Sequence, residues 1–204
     1  MSAPVEISWF GALCDDDYEF LGVPNPELQS SWNHCRDIVQ TADRNGFDNI
    51  LLPSGYQLGI DSTAFASAIA THTEQINLLL AVRIGEMWLP QLARQLATID
   101  QMAERRLTIN IISSDMPGQS LDSEPRYRRT VEFMHGLRSL LNGERLEIDG
   151  EFAQFDLDPP RIATVNPGCP PMYFGGFSEA AKQCAAEAAD VFLTWPDKVA
   201  VSYT

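Results

Sequence analysis

Residues 76–112, INLLLAVRIGEMWLPQLARQLATIDQMAERRLTINII, carry the pattern that decides the fold. An apolar run at 76–82 precedes a segment in which Leu92, Leu96, Ile99 and Ala103 recur at spacings of three and four. A second apolar run follows at 107–112. Those spacings place the four side chains in one stripe along a helix, and such a stripe must be covered by a neighbouring layer. Short β-branched and aliphatic runs bounded by Gly, Pro, Asp or Ser suit strands buried on both faces. Strand, helix, strand in this order is a βαβ unit with a right-handed crossover and a parallel pair.

The same alternation extends in both directions. Further apolar runs lie at 7–13, 49–52, 172–174 and 191–194. Trp32, Cys35, Val39 and Ala42 share one face of a first helix, and Val131, Met134, Leu137 and Leu141 one face of a fourth. The Ala-rich segment 178–189 begins with Ser178, a good N-cap. Residues 145–160 break the rhythm: Leu146, Ile148, Phe152 and Phe155 flank the turn signal Asp149-Gly150, which predicts an inserted hairpin capping one end of the structure.

An open doubly wound sheet and a (β/α)8 barrel both fit this alternation. No Gly-rich dinucleotide turn follows the first strand. Asp15, Asp16, Asp17 and Glu19 stand there instead and would repel a pyrophosphate, which favours the barrel. A closed barrel needs eight strands and typically about 250 residues. The 204-residue chain offers six strand candidates, so the expectation is one α/β TIM-barrel-type domain over 1–204, truncated to about six βα units.

Composition narrows the function. A formal net charge of −14 disfavours nucleic acid and anionic membrane surfaces. A local cluster such as Arg126, Arg128 and Arg129 can still attract a small anion. Cys14, Cys35, Cys169 and Cys184 are scattered and make neither a disulfide framework nor a zinc motif. The opening Met-Ser-Ala-Pro-Val-Glu-Ile lacks the features of a signal peptide, and no apolar run approaches a membrane span. A cytoplasmic, metal-free protein is expected.

Several strings in order complete the reading: ISWF (7–10), ADRNGFD (42–48), LLPSG (51–55), AVR (81–83), ARQLATID (93–100), NIISSD (110–115), RY (126–127), PPMYFGGFS (170–178) and FLTW (192–195). Together they resemble the luciferase-like flavin-dependent monooxygenases, most closely the alkanesulfonate monooxygenase branch. The resemblance implies an FMN-dependent enzyme that takes reduced flavin (FMNH2) from a separate flavin reductase. It also implies that O2 is used on a small, possibly organosulfur, substrate and that the enzyme is a homodimer.

By the same resemblance, Gly176, Phe177 and Ser178 match the flavin phosphate cradle, with Tyr127 beside it. Asn110 and Ser113 match positions along the flavin ring and ribityl chain. Arg83 and Trp195 stand at strand ends facing the same mouth. Read from the residues alone, each has a simpler role. Gly175-Gly176 with Ser178 reads as a turn and a cap, Tyr127 as a core aromatic, Arg83 as an ion-pair partner and Trp195 as wall packing.

Three departures from the resembling sulfonate enzymes bear on chemistry. Cys14 stands where they have a histidine, the loop 54–60 lacks their cysteine, and the arginine and histidine of their seventh strand have no counterpart here. His34, His72 and His135 fall on outer helices and are expected to be structural. No catalytic residue is therefore assigned. A non-catalytic flavin binder, a barrel fragment needing a partner chain and a coenzyme F420 reductase remain alternatives.

Overall fold

A computed structural model describes residues 5–13, 31–56, 59–165 and 168–194. Its elements run β1 (Ser8–Phe10), α1 (Trp32–Arg44), β2 (Asn49–Leu52), α2 (Ser62–Ile69), β3 (Asn77–Arg83) and α3 (Leu89–Met102). They continue with β4 (Leu107–Ile112), α4 (Ser123–Leu141), β5 (Leu146–Asp149), β6 (Gln154–Leu157), β7 (Met172–Gly175), α5 (Glu179–Ala188) and β8 (Val191–Leu193). Six strands form a curled sheet in the order β1-β2-β3-β4-β7-β8, every neighbouring pair parallel.

That order never reverses. A doubly wound sheet requires a switch point where the chain turns back, whereas a barrel steps always to the next strand. Right-handed crossovers taken in one direction put all the helices on one face. The architecture is thus that of a (β/α)8 barrel, represented here by six strands.

The pleat divides the sheet into two unlike faces. Toward the helices, the registered row Leu52, Leu80, Ile109 and Met172 is fully buried, and the row Val82, Ile111 and Phe174 nearly so. Each such side chain contributes roughly 1.5–3 kcal/mol relative to exposure. Toward the concave side, Leu79 and Ala81 of β3 are buried, whereas Leu51, Thr108, Asn110, Ile112 and Tyr173 are only half-buried. Burial on both faces therefore does not hold for β4, whose residues alternate. In a closed barrel opposing strands fill this interior, and no described strand lies opposite it.

The hairpin β5–β6 is antiparallel and does not cap the barrel as expected. It lies against the flank of α3 and α4, with Phe155 packed on Trp88 and Phe133. The Glu132 carboxylate on α4 accepts the N–H groups of Glu151 and Ala153 at 3.0 and 2.9 Å. A Cβ at Gly150 would collide with that carboxylate, so a side chain there would push Glu132 off the hydrogen bonds that hold the hairpin.

At the opposite rim, the strands' N-terminal ends are tied by charge. Asp43, near the end of α1, accepts the N–H groups of Glu74, Gln75 and Ile76 at 2.9, 3.0 and 2.8 Å. Arg106, just before β4, donates to the carbonyls of Ala70, Thr73 and Ile76 and to the Thr73 hydroxyl. Burial raises the Asp43 pKa, but those three N–H groups and the Arg106 charge outweigh it and hold the carboxyl below its ordinary range. Its contribution to stability is therefore present above the ordinary aspartate value of 3.8 and is lost as pH falls through the lowered folded value. Asp43→Ala is expected to cost about 3 kcal/mol at neutral pH. The urea midpoints of wild type and variant should converge as the solution is acidified below that range.

Candidate functional site

The C-terminal ends of the strands carry the polar groups. Arg83, the last residue of β3, pairs with Glu86 at 3.0 Å and donates to the Asp115 carbonyl at 2.8 Å and the Ser54 carbonyl at 3.5 Å. It thus ties together the loops after β2, β3 and β4. Asp115 also receives Arg126 from the start of α4 at 3.2 Å. Arg128 departs from the expected cluster: it points outward and pairs with Glu151 and Glu124. Arg83, rather than Arg128, joins Arg126 and Arg129 around Asp115.

Ser113 follows β4 directly and accepts a hydrogen bond of 2.9 Å from Thr130, a fully buried residue of α4 that the sequence reading did not single out. Thr130 lies one helical turn after Tyr127, so the contact follows once α4 is docked. Asn110 is half-buried on the concave face, in register with Ala81 and Tyr173.

Ser178 caps α5. Its hydroxyl accepts the Ala181 N–H at 3.1 Å and lies 3.5 Å from the Tyr127 hydroxyl. The Tyr127 ring is set by an edge contact with Phe174, centroids 6.2 Å apart, and by the Arg126 guanidinium 5.6 Å from its own centroid. The capping role of Ser178 and the packing role of Tyr127 are both present, and they bring the two hydroxyls together. Phe177 is exposed. A Cβ on Gly176 would stand 2.5 Å from the Ala181 Cβ, so helix packing is one reason for glycine there. On Gly175 it would stand 3.1 Å from the Leu193 carbonyl oxygen.

This corner is suited to a phosphate ester. Two hydroxyls converge on the first turn of a ten-residue helix, where free N–H groups and the helix dipole favour an anion. Glu179 in that turn opposes the field, but Lys182 pairs with it at 2.7 Å. The residues present therefore fit a flavin mononucleotide phosphate.

Trp195 and Cys14 lie outside the described residues. None of the three histidines stands at the strand ends. His34 is on α1, His72 sits in a single 3-10 turn (Ala70–His72) against Trp32, and His135 is exposed on α4. Burial pushes the thiols of Cys169 and Cys184 up to about 12, which makes them poor nucleophiles. Among the described residues no group of His, Cys, Asp and Glu is placed to hold a metal ion, and no helix is long and apolar enough to cross a membrane.

Comparison with known proteins gives this geometry its context. A sequence profile described as "Luciferase-like monooxygenase" matches residues 20–202. Sulfoquinovose monooxygenase of Novosphingobium aromaticivorans is 61% identical over 199 residues, which cover 94% of this chain and 55% of that protein. Sulfoquinovose monooxygenase of Agrobacterium fabrum is 46% identical over 195 residues, covering 94% and 50%. The chain thus spans about half the length of the curated relatives it matches.

Among solved structures, EDTA monooxygenase from Chelativorans sp. BNC1 superposes with a TM-score of 0.78 at 16% identity, covering 92% of this chain and 55% of that one. Long-chain alkane monooxygenase superposes with a TM-score of 0.78 at 17% identity, covering 94% and 56%. At these identities the likeness concerns the fold.

The contact of Gly176 with Ala181 has a measurable consequence. Gly176→Ala is expected to cost about 1–3 kcal/mol through overpacking. Adding Ala181→Gly should restore part of that loss, because it removes the opposing methyl; thermal unfolding of the single and double variants checks this.

Proposed function

Because the chain belongs to the luciferase-like monooxygenase family, we propose that it provides the FMN-binding side of a reduced-flavin-dependent monooxygenase acting on a sulfonated sugar of the sulfoquinovose type. The observation that carries the cofactor assignment is the pair of hydroxyls, Ser178 and Tyr127, 3.5 Å apart at the N-terminus of α5. The substrate assignment rests on the two sulfoquinovose monooxygenases to which the chain is 61% and 46% identical.

When bound, reduced flavin supplies the electrons with which one atom of O2 enters the substrate and the other becomes water. The chain's own residues bind and orient. Ser178, Tyr127 and the first-turn N–H groups of α5 would hold the phosphate. Asn110 and Ser113, on the concave side and upper end of β4, would line the flavin's ring and ribityl chain, and Thr130 fixes the Ser113 hydroxyl at 2.9 Å. Gly176 and Phe177 supply the turn that carries the cradle, and Arg83 braces the neighbouring loops. The partners in this reading are a flavin reductase, O2, the small anionic substrate and a second copy of the chain, in the cytoplasm.

A second reading, flavin binding without turnover, is favoured by one observation: none of the histidines reaches the strand ends. Titration of the 204-residue chain with FMN, followed by flavin fluorescence, tests the shared part of both readings. Saturable binding is expected, weakened about tenfold each by Ser178→Ala and Tyr127→Phe, since a hydrogen bond to a charged group is worth about 1.5–3 kcal/mol. Absence of binding by the folded chain would overturn both. Sulfoquinovose-dependent oxygen uptake with FMN, NADH and a flavin reductase is the outcome the first reading requires.

A further inference from the structure

Arg129 is a buried cation that none of this chemistry uses. It lies on the second turn of α4 and is 7% exposed. Its Nε is buried without a hydrogen-bond partner, and its guanidinium forms no hydrogen bond or ion pair among the described residues. Burial lowers its pKa from the ordinary arginine value, the neighbouring Arg126 charge adds to this, and Asp115 offsets only part of it. A guanidinium largely out of water without a hydrogen-bonded counter-charge carries a desolvation cost, and an anionic ligand would offset it.

The surroundings show where that charge would arrive. The Arg129 guanidinium carbon lies 3.5 Å from where a Cβ of Gly85 would stand, and the Met116 sulfur occupies the same space at 2.6 Å. Gly85 and Met116 both line a cleft of about 470 Å³ between the loops after β2, β3 and β4. A flexible thioether therefore lies beside the guanidinium at the wall of the cleft. Two more buried polar atoms lack partners: Nε of Arg126, whose guanidinium reaches Asp115, and Oγ of Ser114, the residue before Asp115 in the chain. The cradle at Ser178 is separate, because residues 127 and 129 diverge by about 200° around the helix axis.

We propose that Arg129, with Arg126 and Ser114, forms a subsite for a tetrahedral oxyanion, a sulfonate or a phosphate, admitted through the cleft at Gly85 and Met116. The planar fork of a guanidinium matches two oxygens of such a group, and its charge is worth most where water is excluded. The inference deepens the proposed function by naming the residue that would select an anionic substrate, and it rests on that reading only for the identity of the anion.

Thermal unfolding of the full chain in methanesulfonate and in inorganic phosphate, against chloride at equal ionic strength, tests it. The wild type should gain stability with either anion as binding predicts. Arg129→Met should weaken that binding by a factor of about thirty or more, as for loss of one partner of a buried charge pair. Arg129→Met should also unfold at a higher temperature than the wild type in chloride, because it removes the unpaired charge. Arg129→Lys, which keeps a charge, should retain part of the anion response. Saturating FMN that abolishes the Arg129-dependent part of the response identifies the flavin phosphate as the oxyanion, and an Arg129-dependent response additive with FMN identifies the sulfonate. No methanesulfonate response in the wild type, or one that survives Arg129→Met, overturns the subsite; a phosphate response that survives belongs to the Ser178 cradle. FMN binding is read separately by its fluorescence, so the subsite and the flavin reading can fail independently.

Discussion

The carboxylate of Asp43 accepts three consecutive backbone N–H groups and, with Arg106, sets the geometry on which the rest of the sheet depends. Asp43 belongs to α1, the three amides lead into β3, and Arg106 leads into β4 while binding the carbonyls at the end of α2 and before β3. One buried ionic knot therefore fixes where two strands start. Strand registers follow from those starting points, and the strands' far ends, where the candidate site is built, inherit their relative heights. Asp100, which receives the Val165 N–H at 2.7 Å, holds the incoming chain of β7 to the same rim. Burial raises the Asp100 pKa, so this carboxylate carries a desolvation cost that Asp43 has largely overcome.

The two rims thus divide labour as expected of a parallel barrel. At the N-terminal rim the charges of Asp43 and Arg106 are closed on backbone groups. At the C-terminal rim the polar groups are closed on one another only in part. Arg83 and Arg126 reach Asp115, yet Arg129 Nε, Arg126 Nε and Ser114 Oγ remain without partners. A chain with a net charge of −14 concentrates these guanidinium groups where the loops after β3 and β4 meet. That local field is what an anionic ligand would meet, whatever the sign of the whole surface.

Much of the architecture is legible in the chain itself. Leu92, Leu96, Ile99 and Ala103 are all buried, as their spacing required, and the parallel alternation follows from short apolar runs set between helical stripes. The acidic stretch after β1 argued against a dinucleotide turn, and the non-reversing strand order agrees with it. The hairpin's placement was not legible. Its docking depends on Glu132 reaching N–H groups about twenty positions away, a contact with no local sequence signal. The one-sided burial of β4 was also hidden, because apolar and amphipathic runs of this length look alike until their neighbours are known.

The candidate site divides in the same way. Ser178 as a helix cap is a local property, since a cap needs only its own first turn, and the sequence by itself determined it. The same holds for the strand-helix order and for the chemical character of Arg83, Arg126 and Tyr127. Only the tertiary structure decided that the Tyr127 hydroxyl meets Ser178, that Thr130 meets Ser113, and that Arg128 turns away to Glu151 while Arg129 is buried. Periodicity says which side chains share a face, but the packing of α4 between α3 and α5 decides which of them find a partner. Burial and unpaired charge are properties of that packing, and no single segment of the chain contains them.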